Sequence, residues 1–170
     1  VGSEMCIRDS FLYAVNEVGE PGGGVSAFAI AQETGNLTFL NHQPSQGTAP
    51  CHVSVDDAGT FVYVANYGSG TVSVYPIRED GSLNEASDVA KHEGSGPDAW
   101  RQRGPHAHSI NLSPDNHFAF VADLGIDKLM VYDVQVRPGK LIPHAQVTIA
   151  PGAGPRHFTF HPNGRYAYLI

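Results

Sequence analysis

The chain has few charged residues and no long apolar run. Only 16% of its 170 residues are charged, and the formal net charge is −7. Because nucleic-acid backbones and anionic lipids repel an acidic protein, this charge argues against nonspecific binding to either surface. No apolar run approaches the roughly 20 residues of a membrane-spanning helix. The sequence therefore predicts neither a nucleic-acid partner nor a membrane partner.

Cysteine is also scarce. The two cysteines, Cys6 and Cys51, form neither a zinc-binding spacing nor a disulfide framework, which favours a reducing compartment such as the cytoplasm. Among nine histidines, only His106 and His108 have metal-ligand spacing on one strand, and no third ligand is in register with them. We therefore expect no metal and no cofactor.

The sequence also lacks the apolar period of about 3.6 residues that marks a helix. Apolar residues instead alternate with polar ones, and aromatic residues recur two positions apart. The segments FLYAVNE, FVYVANYG, FAFVADLG and YAYLI start at Phe11, Phe61, Phe118 and Tyr166 and repeat at intervals of about 50 residues. A second apolar strand follows each of the first three. The pattern predicts antiparallel β structure throughout.

Turn residues repeat with the strands. The tripeptide Gly-x-Leu recurs at 35–37, 81–83 and 139–141, and glycine there supplies the positive φ of a tight hairpin. Asn116 stands at another turn where the equivalent positions hold glycine, and asparagine tolerates left-handed backbone. A Pro- and Gly-rich connector then leads to strands that begin at His52, His108 and His157.

Four strands per repeat predict an all-β fold, a β-propeller of four-stranded antiparallel blades. Residues 11–170 hold about three and a bit blades, so we expect a fragment of a longer propeller that is inactive alone. A β-sandwich with coincidental spacing is the alternative. Residues 1–10, VGSEMCIRDS, lack the strand pattern and resemble translated adapter DNA; we expect them to be foreign to the domain at 11–170.

The strings PHAHSINLSPDNHFAFVADLGIDKLMVYDV and GPRHFTFHPNGRYAYLI closely resemble the lactonase family of seven-bladed β-propellers. The resemblance covers residues 11–170. It implies hydrolysis of 6-phosphoglucono-1,5-lactone, a phosphosugar lactone of the cytoplasmic pentose phosphate pathway. In family members the strand matching YAYLI continues into Asn-Glu, which here would be 171–172, so an acidic site residue is expected just past Ile170.

The candidate site follows from hairpin geometry. The start of one antiparallel strand and the end of the next lie at the same end of a blade. If the His-led strands are innermost, polar groups from all blades meet at one mouth of the central channel. The candidate substrate-binding residues are Glu17, His52, Asn66, Asp123, His157 and Arg103.

Lactone opening needs a base for water and a cation for the oxyanion. We expect His108, or His106 if the strand begins one residue earlier, to act as the base. Arg156 is expected to stabilise the oxyanion or to bind a phosphate. The family resemblance supports this pairing of histidine and arginine.

Less specific roles remain open for several of these residues. His52 and His157 recur in the repeat, which a structural hydrogen bond to the next blade explains equally well. Asn66 and Asp123 are expected to link strand ends first. Arg101 and Arg103, in the insert GSGPDAWRQRG, reach over the pocket and bind the phosphate, or lie in a solvated loop. The other histidines, His42, His92, His117, His144 and His161, are expected in turns or at the surface.

Three functions remain as alternatives to phosphosugar lactone hydrolysis. The same ring of side chains suits another sugar lactone, or a lactonizing reaction of the muconate type that the family also contains. A non-catalytic propeller that binds proteins is the third alternative. Trp100, the single tryptophan, lies in the insert and is the one feature that favours it.

Overall fold

The computed structural model describes the backbone of residues 3–8 and the whole of residues 10–19 and 23–170. This part of the chain consists of strands, turns and irregular segments, and it forms no helix. Accordingly, nothing in the described residues is a helix of the length and hydropathy needed to cross a membrane.

Three sheets each contain four antiparallel strands in chain order, and a fourth sheet begins with two strands. The first sheet contains β1 (Ser3–Arg8), β2 (Phe11–Asn16), β3 (Gly24–Ile30) and β4 (Leu37–Pro44). The second contains β5 (Pro50–Val55), β6 (Phe61–Asn66), β7 (Thr71–Pro76) and β8 (Asp88–Lys91). The third contains β9 (Ala107–Leu112), β10 (Phe118–Asp123), β11 (Lys128–Gln135) and β12 (Lys140–Thr148). The fourth contains β13 (Phe158–Phe160) and β14 (Ala167–Leu169).

The first strands of successive sheets lie side by side. Strand β1 contacts β5, β5 contacts β9, and β9 contacts β13. This arrangement makes them the inner strands of consecutive blades. The predicted fold class, a partial propeller of four-stranded antiparallel blades, is confirmed.

The inner strand of the first blade falls within the segment that the repeat analysis set aside. Residues Ser3 to Arg8 pair with β2 in one continuous register, from Ser3 opposite Asn16 to Arg8 opposite Phe11. Backbone pairing does not depend on the origin of a sequence, so the foreign origin of residues 1–10 stays a prediction.

The turns have the backbone conformations that their sequences predict. The glycines of the three Gly-x-Leu turns, Gly35, Gly81 and Gly139, have φ values of 71°, 81° and 85°. Asn116 has a φ of 57°, close to the 65° and 67° of Gly59 and Gly164 at the equivalent turns. Left-handed backbone at these positions explains the choice of glycine and asparagine.

The second sheet is buried on both faces, and alternate residues of β6 serve the two neighbours. Val62 and Val64 pack into the core shared with the first sheet. Phe61, Tyr63 and Ala65 pack into the core shared with the third sheet. Because side chains of a strand point alternately to opposite faces, a strand between two sheets has no solvent face and becomes continuously apolar.

Hydrogen bonds between sheets fix how the blades sit against each other. The Tyr13 hydroxyl donates to the Gly81 carbonyl at 3.0 Å, and the Tyr75 hydroxyl donates to the Pro44 carbonyl at 2.8 Å. Asn41 and the backbone of Leu83 exchange two hydrogen bonds, at 2.7 and 3.0 Å. These directional bonds complement an apolar interface that is otherwise nondirectional.

The interface between the second and third sheets provides a matched stability test. Ile110 is fully buried there, whereas Ile142 on the outer strand β12 is 38% exposed. Ile110→Ala should lower the free energy of unfolding by about 2–5 kcal/mol, since it leaves a cavity between blades. Ile142→Ala should change it by less than about 0.5 kcal/mol. Urea unfolding measures both, and equal losses would contradict the packing described here.

Candidate active site

The His-led strand starts and the polar strand ends meet at one end of each blade, as hairpin geometry predicts. His52 pairs with Ala65, beside Asn66, and Asp123 pairs with Ala107 between the two histidines of His-Ala-His. In the fourth sheet the His157 and Ile170 backbones exchange hydrogen bonds. A β-bulge near the start of β5 and another near the start of β9 turn these ends of the strands.

Imidazoles from three blades, those of His52, His108 and His157, lie close together. The His108 ring meets the His157 ring edge-on with centroids 5.1 Å apart, and it meets the Tyr67 ring at 5.9 Å. Its Nδ1 atom is buried without a hydrogen-bond partner among the residues that the structure describes. His108 is therefore a half-buried imidazole, and its Nδ1 makes no hydrogen bond within the part of the chain that the structure describes.

The surroundings of His108 keep it neutral. Burial is the largest cause that lowers the pKa of His108, and the neighbouring His157 and the positive charges of Arg156 and Arg101 lower it further. A neutral imidazole can accept a proton, whereas an imidazolium cannot. A proton acceptor, His108, thus lies within the electrostatic influence of two guanidinium groups.

His106 is held more tightly than His108. Its Nδ1–H donates to the Tyr67 carbonyl at 2.7 Å, and its ring stacks on the Tyr67 ring with centroids 4.4 Å apart. Because one ring nitrogen is committed to the neighbouring blade, His106 is less free than His108 to exchange protons. Tyr67, which sequence reasoning missed, has the repeat position that Glu17 has in the first blade.

His52 forms the structural link to the next blade that the sequence left open. The Ile110 N–H donates to His52 Nδ1 at 3.4 Å. Burial, with smaller contributions from His157 and His108, lowers the pKa of His52 to about 4. The partly buried ring is neutral near pH 7, which its role as a hydrogen-bond acceptor requires.

Asn66 and Asp123 are both fully buried, in line with the expectation that they link strand ends first, and their contact with a ligand stays a prediction. Asn66 donates to the Ser45 carbonyl at 3.0 Å and to the Thr71 hydroxyl at 3.1 Å. Asp123 Oδ1 accepts the backbone N–H groups of His106 and Gly125, at 2.8 and 2.9 Å. Both residues tie strand ends to loops.

The interpretation of His92 as a turn or surface residue is wrong. His92 is buried, its ring stacks on Tyr132, and its Nδ1 lies 2.5 Å from Asp123 Oδ2. It follows β8, the outer strand of the second blade, and reaches the end of an inner hairpin of the third. Contact between strands so far apart in sequence leaves no local signal.

Glu17 and His157 lie at exposed positions. Glu17 follows β2 directly, and the structure describes no contact between its carboxylate and the histidines of the other blades. Its role at the site stays a prediction. His157 precedes β13 and contributes its ring to the edge of the cluster around His108.

The insert presents Arg101 to the site rather than Arg103. Arg103 Nε–H donates to the Ala99 carbonyl at 2.6 Å, and its guanidinium lies 5.5 Å from the centre of the Trp100 ring. Arg101 instead lines a cavity of about 250 Å³ together with Arg156, Gln102 and Leu124. Arg103 is thus held within the insert while Arg101 lines the cavity, and a contact of Arg103 with substrate stays a prediction.

A metal site in a protein needs several ligand side chains close together. Within residues 10–19 and 23–170, no group of three or more His, Cys, Asp or Glu side chains is placed to hold a metal ion. The described side chains do supply imidazole for proton transfer and guanidinium for charge stabilisation.

The low pKa of His52 gives a pH-dependent stability with a definite sign. Between pH 6.5 and about 4 the unfolded chain protonates His52 and the folded chain does not. The unfolded state then binds more protons, so stability decreases as the pH falls through this window, by up to about 1.4 kcal/mol per pH unit. His52→Gln should reduce this slope in urea unfolding experiments. Identical pH slopes for the two proteins would contradict the burial that lowers the pKa of His52.

The sequence of this chain matches known proteins along most of its length. Residues 5–170 match the family described as "Lactonase, 7-bladed beta-propeller". The chain is 46% identical over 163 residues to the 6-phosphogluconolactonase of Bacillus subtilis (strain 168), covering 96% of this chain and 46% of that protein. It is 34% identical over 164 residues to the 6-phosphogluconolactonase of Formosa agariphila, covering 94% and 46%.

Solved structures agree in fold. A Bacteroides fragilis protein, provisionally assigned as a 6-phosphogluconolactonase, superposes with a TM-score of 0.93 at 36% identity, covering 98% of this chain and 49% of the other. The periplasmic gluconolactonase of Pseudomonas aeruginosa superposes with a TM-score of 0.91 at 32% identity, covering 98% and 50%.

This chain spans about half the length of the curated relatives it matches. Nearly all of it matches the family, and its three complete blades and the start of a fourth have the expected architecture. The chain therefore belongs to the lactonase family of seven-bladed β-propellers.

Proposed function

We propose that the complete protein hydrolyses 6-phosphoglucono-1,5-lactone to 6-phosphogluconate. The observation that carries the proposal is a neutral, half-buried His108 under the influence of two guanidinium groups, Arg156 and Arg101. The names of the curated relatives support the same substrate. Hydrolysis of a lactone needs the two functions that these residues supply, a base and a site for developing negative charge.

His108 acts as the general base in the proposed reaction. It takes a proton from water as the water oxygen bonds to the lactone carbonyl carbon, and the carbonyl becomes a tetrahedral oxyanion. The bond from that carbon to the ring oxygen then breaks. The proton held by His108 passes to the ring oxygen, which leaves as a hydroxyl group, and the product is a carboxylic acid that ionises in water.

Arg156 stabilises the oxyanion in this scheme. Its positive charge lowers the pKa of His108, and Arg156 is adjacent in sequence to His157, whose ring meets the His108 ring; both observations support this role. A fixed guanidinium beside the carbonyl favours the transition state more than the uncharged substrate, and this difference is what accelerates the reaction. His106 positions this end of β9 through its bonds to Asp123 and Tyr67.

An unphosphorylated sugar lactone is the second candidate substrate. The gluconolactonase of P. aeruginosa, similar in structure along nearly all of this chain, supports it. The base and the oxyanion site serve either lactone, so the two candidates differ only in what binds the far end of the sugar. Direct comparison of the two lactones distinguishes them.

We also propose a cytoplasmic location, because the phosphorylated lactone is made from a sugar phosphate that does not cross membranes unaided. Cell fractionation with an antibody to the protein tests this. Recovery in the periplasm would favour the unphosphorylated lactone instead.

Substitution of the two central residues tests the proposed function. In the complete protein, with freshly prepared lactone, His108→Gln should lower kcat/KM by roughly 10²- to 10⁴-fold because the base is lost. Arg156→Met should lower it by roughly 10²- to 10³-fold because the oxyanion loses its cation. The assay follows acid release and subtracts spontaneous hydrolysis.

Matched controls are available at the other end of the blades. His117 and Arg165 lie in exposed turns there. His117→Gln and Arg165→Met should keep kcat/KM within about twofold, since exposed turn substitutions rarely disturb a distant site. Full activity in His108→Gln or in Arg156→Met would overturn the role assigned to that residue.

A further inference from the structure

Two arginines share one cavity between the insert and the loop that precedes the fourth sheet. Arg101 and Arg156 line the cavity of about 250 Å³, which is bounded by the insert on one side and by the loop at 152–154 on the other. In the part of the chain that the structure describes, neither guanidinium has a carboxylate within ion-pair distance. Like charges that share a small cavity repel unless an anion separates them.

Arg103 and Arg78, by contrast, bond to neighbouring protein groups. Arg103 bonds to the Ala99 carbonyl and packs on Trp100, and Arg78 bonds to Asn84 at 2.8 Å. Asp98 also lines the cavity, but its Oδ1 accepts the backbone N–H groups of Trp100 and Arg101, at 2.8 and 3.1 Å. The Asp98 carboxylate interacts electrostatically with Arg101, but its single charge is outnumbered by the two guanidinium groups that line the same cavity.

A buried hydrogen-bond network fixes the two walls of the cavity relative to each other. Asp127 accepts hydrogen bonds from the backbone of Gly152 at 2.7 Å and of Gly154 at 2.8 Å, on the loop that leads to Arg156. It also accepts one from Gln102 Nε2 at 2.8 Å, on the insert next to Arg101. One carboxylate therefore holds both arginine-bearing segments.

Gln102 completes the network. This side chain is buried and also donates to the Leu124 carbonyl at 2.8 Å, while its Oε1 accepts the Asp98 N–H at 3.0 Å. All three polar interactions of the amide group are made within the protein. These bonds hold the backbone of the insert in place, with Arg101 on the side that lines the cavity. An anion that binds there meets a segment that is already ordered.

We infer that Arg101 binds the phosphoryl group of the lactone and so determines specificity, with Asp127 as the residue that positions it. The inference rests on the proposed function and extends it. Arg156 serves the carbonyl end of the sugar beside His108, and Arg101, on the insert at the other wall of the cavity, serves the phosphoryl end. The planar guanidinium of arginine can form two parallel hydrogen bonds with phosphate oxygens.

A comparison of two substrates tests the role of Arg101 in the complete protein. Arg101→Met should lower kcat/KM for 6-phosphoglucono-1,5-lactone by roughly 10- to 100-fold, mainly through KM, because a charge-assisted hydrogen bond is lost. The same variant should hydrolyse glucono-1,5-lactone within about twofold of wild type. Arg103→Met, which removes the same charge from the same insert, should leave both substrates within about twofold.

Equal loss on both lactones, or no loss on either, would overturn the inference. Calorimetry with 6-phosphogluconate and gluconate measures the affinity for each ligand independently of turnover. The wild type should prefer the phosphorylated ligand, and Arg101→Met should remove that preference. A wild type that binds 6-phosphogluconate selectively but hydrolyses neither lactone would refute the proposed function and leave the phosphate site standing. A wild type without the binding preference would refute the phosphate site.

The positioning role of Asp127 needs a readout that a general loss of stability does not move. Asp127→Asn should lower the ratio of kcat/KM for the phosphorylated lactone to that for the unphosphorylated one. Added to Arg101→Met, it should lower that ratio no further, because both changes act on one interaction. Equal lowering of activity on both lactones in either background would show that Asp127 serves stability alone.

Discussion

Each sheet of this protein must be covered on both faces by its neighbours, and the site depends on that constraint. Strand β6 sends Val62 and Val64 to one core and Tyr63 and Ala65 to the other. Because both faces are apolar, the sheet cannot rotate or shift register without exposing one of them. The packing therefore aligns the starts of the inner strands, and polar residues far apart in sequence meet there.

Hydrogen bonds at the ends of the inner strands convert this alignment into a defined site. Asp123 holds the backbone of His106 and the ring of His92, and His52 accepts the backbone N–H of Ile110. These contacts are made by polar groups at the strand ends themselves. His108 remains with an unoccupied buried nitrogen, and Arg156 and Arg101 remain without a carboxylate within ion-pair distance in the described part of the chain. Unlike the buried Asn66, whose Oδ1 is also unpartnered among the described residues, these three side chains are partly or fully exposed and can meet a ligand.

The sequence was sufficient to predict the fold, because the repeat carries its own periodic signals. Strand alternation predicted the sheets, and the Gly-x-Leu turns predicted the positive φ values of Gly35, Gly81 and Gly139. The meeting of His-led strand starts with strand ends followed from antiparallel pairing alone. Such features are local or repeat along the chain, so one sequence contains enough evidence for them.

Side-chain direction at the site was harder to predict, for reasons that particular residues show. Asp123 ends a strand as Asn66 does, but whether such a side chain faces the channel or its own loop depends on nonlocal packing. His92 is buried by a blade that it does not belong to. Arg101 and Arg103 are two residues apart, and the bonds of Asp98 and Gln102 decide which one lines the cavity.

The central claim is that strand ends and loops from different blades place His108 next to Arg156 and Arg101. Titration of the His108 ring by NMR tests this most directly in wild type, Arg156→Met, Arg101→Met and Arg103→Met. Each of the two arginines near His108 lowers its pKa, so removing either one should raise the titration midpoint, with the larger rise for Arg156→Met. Arg103→Met should raise it least. An unchanged midpoint in both Arg156→Met and Arg101→Met would contradict the account.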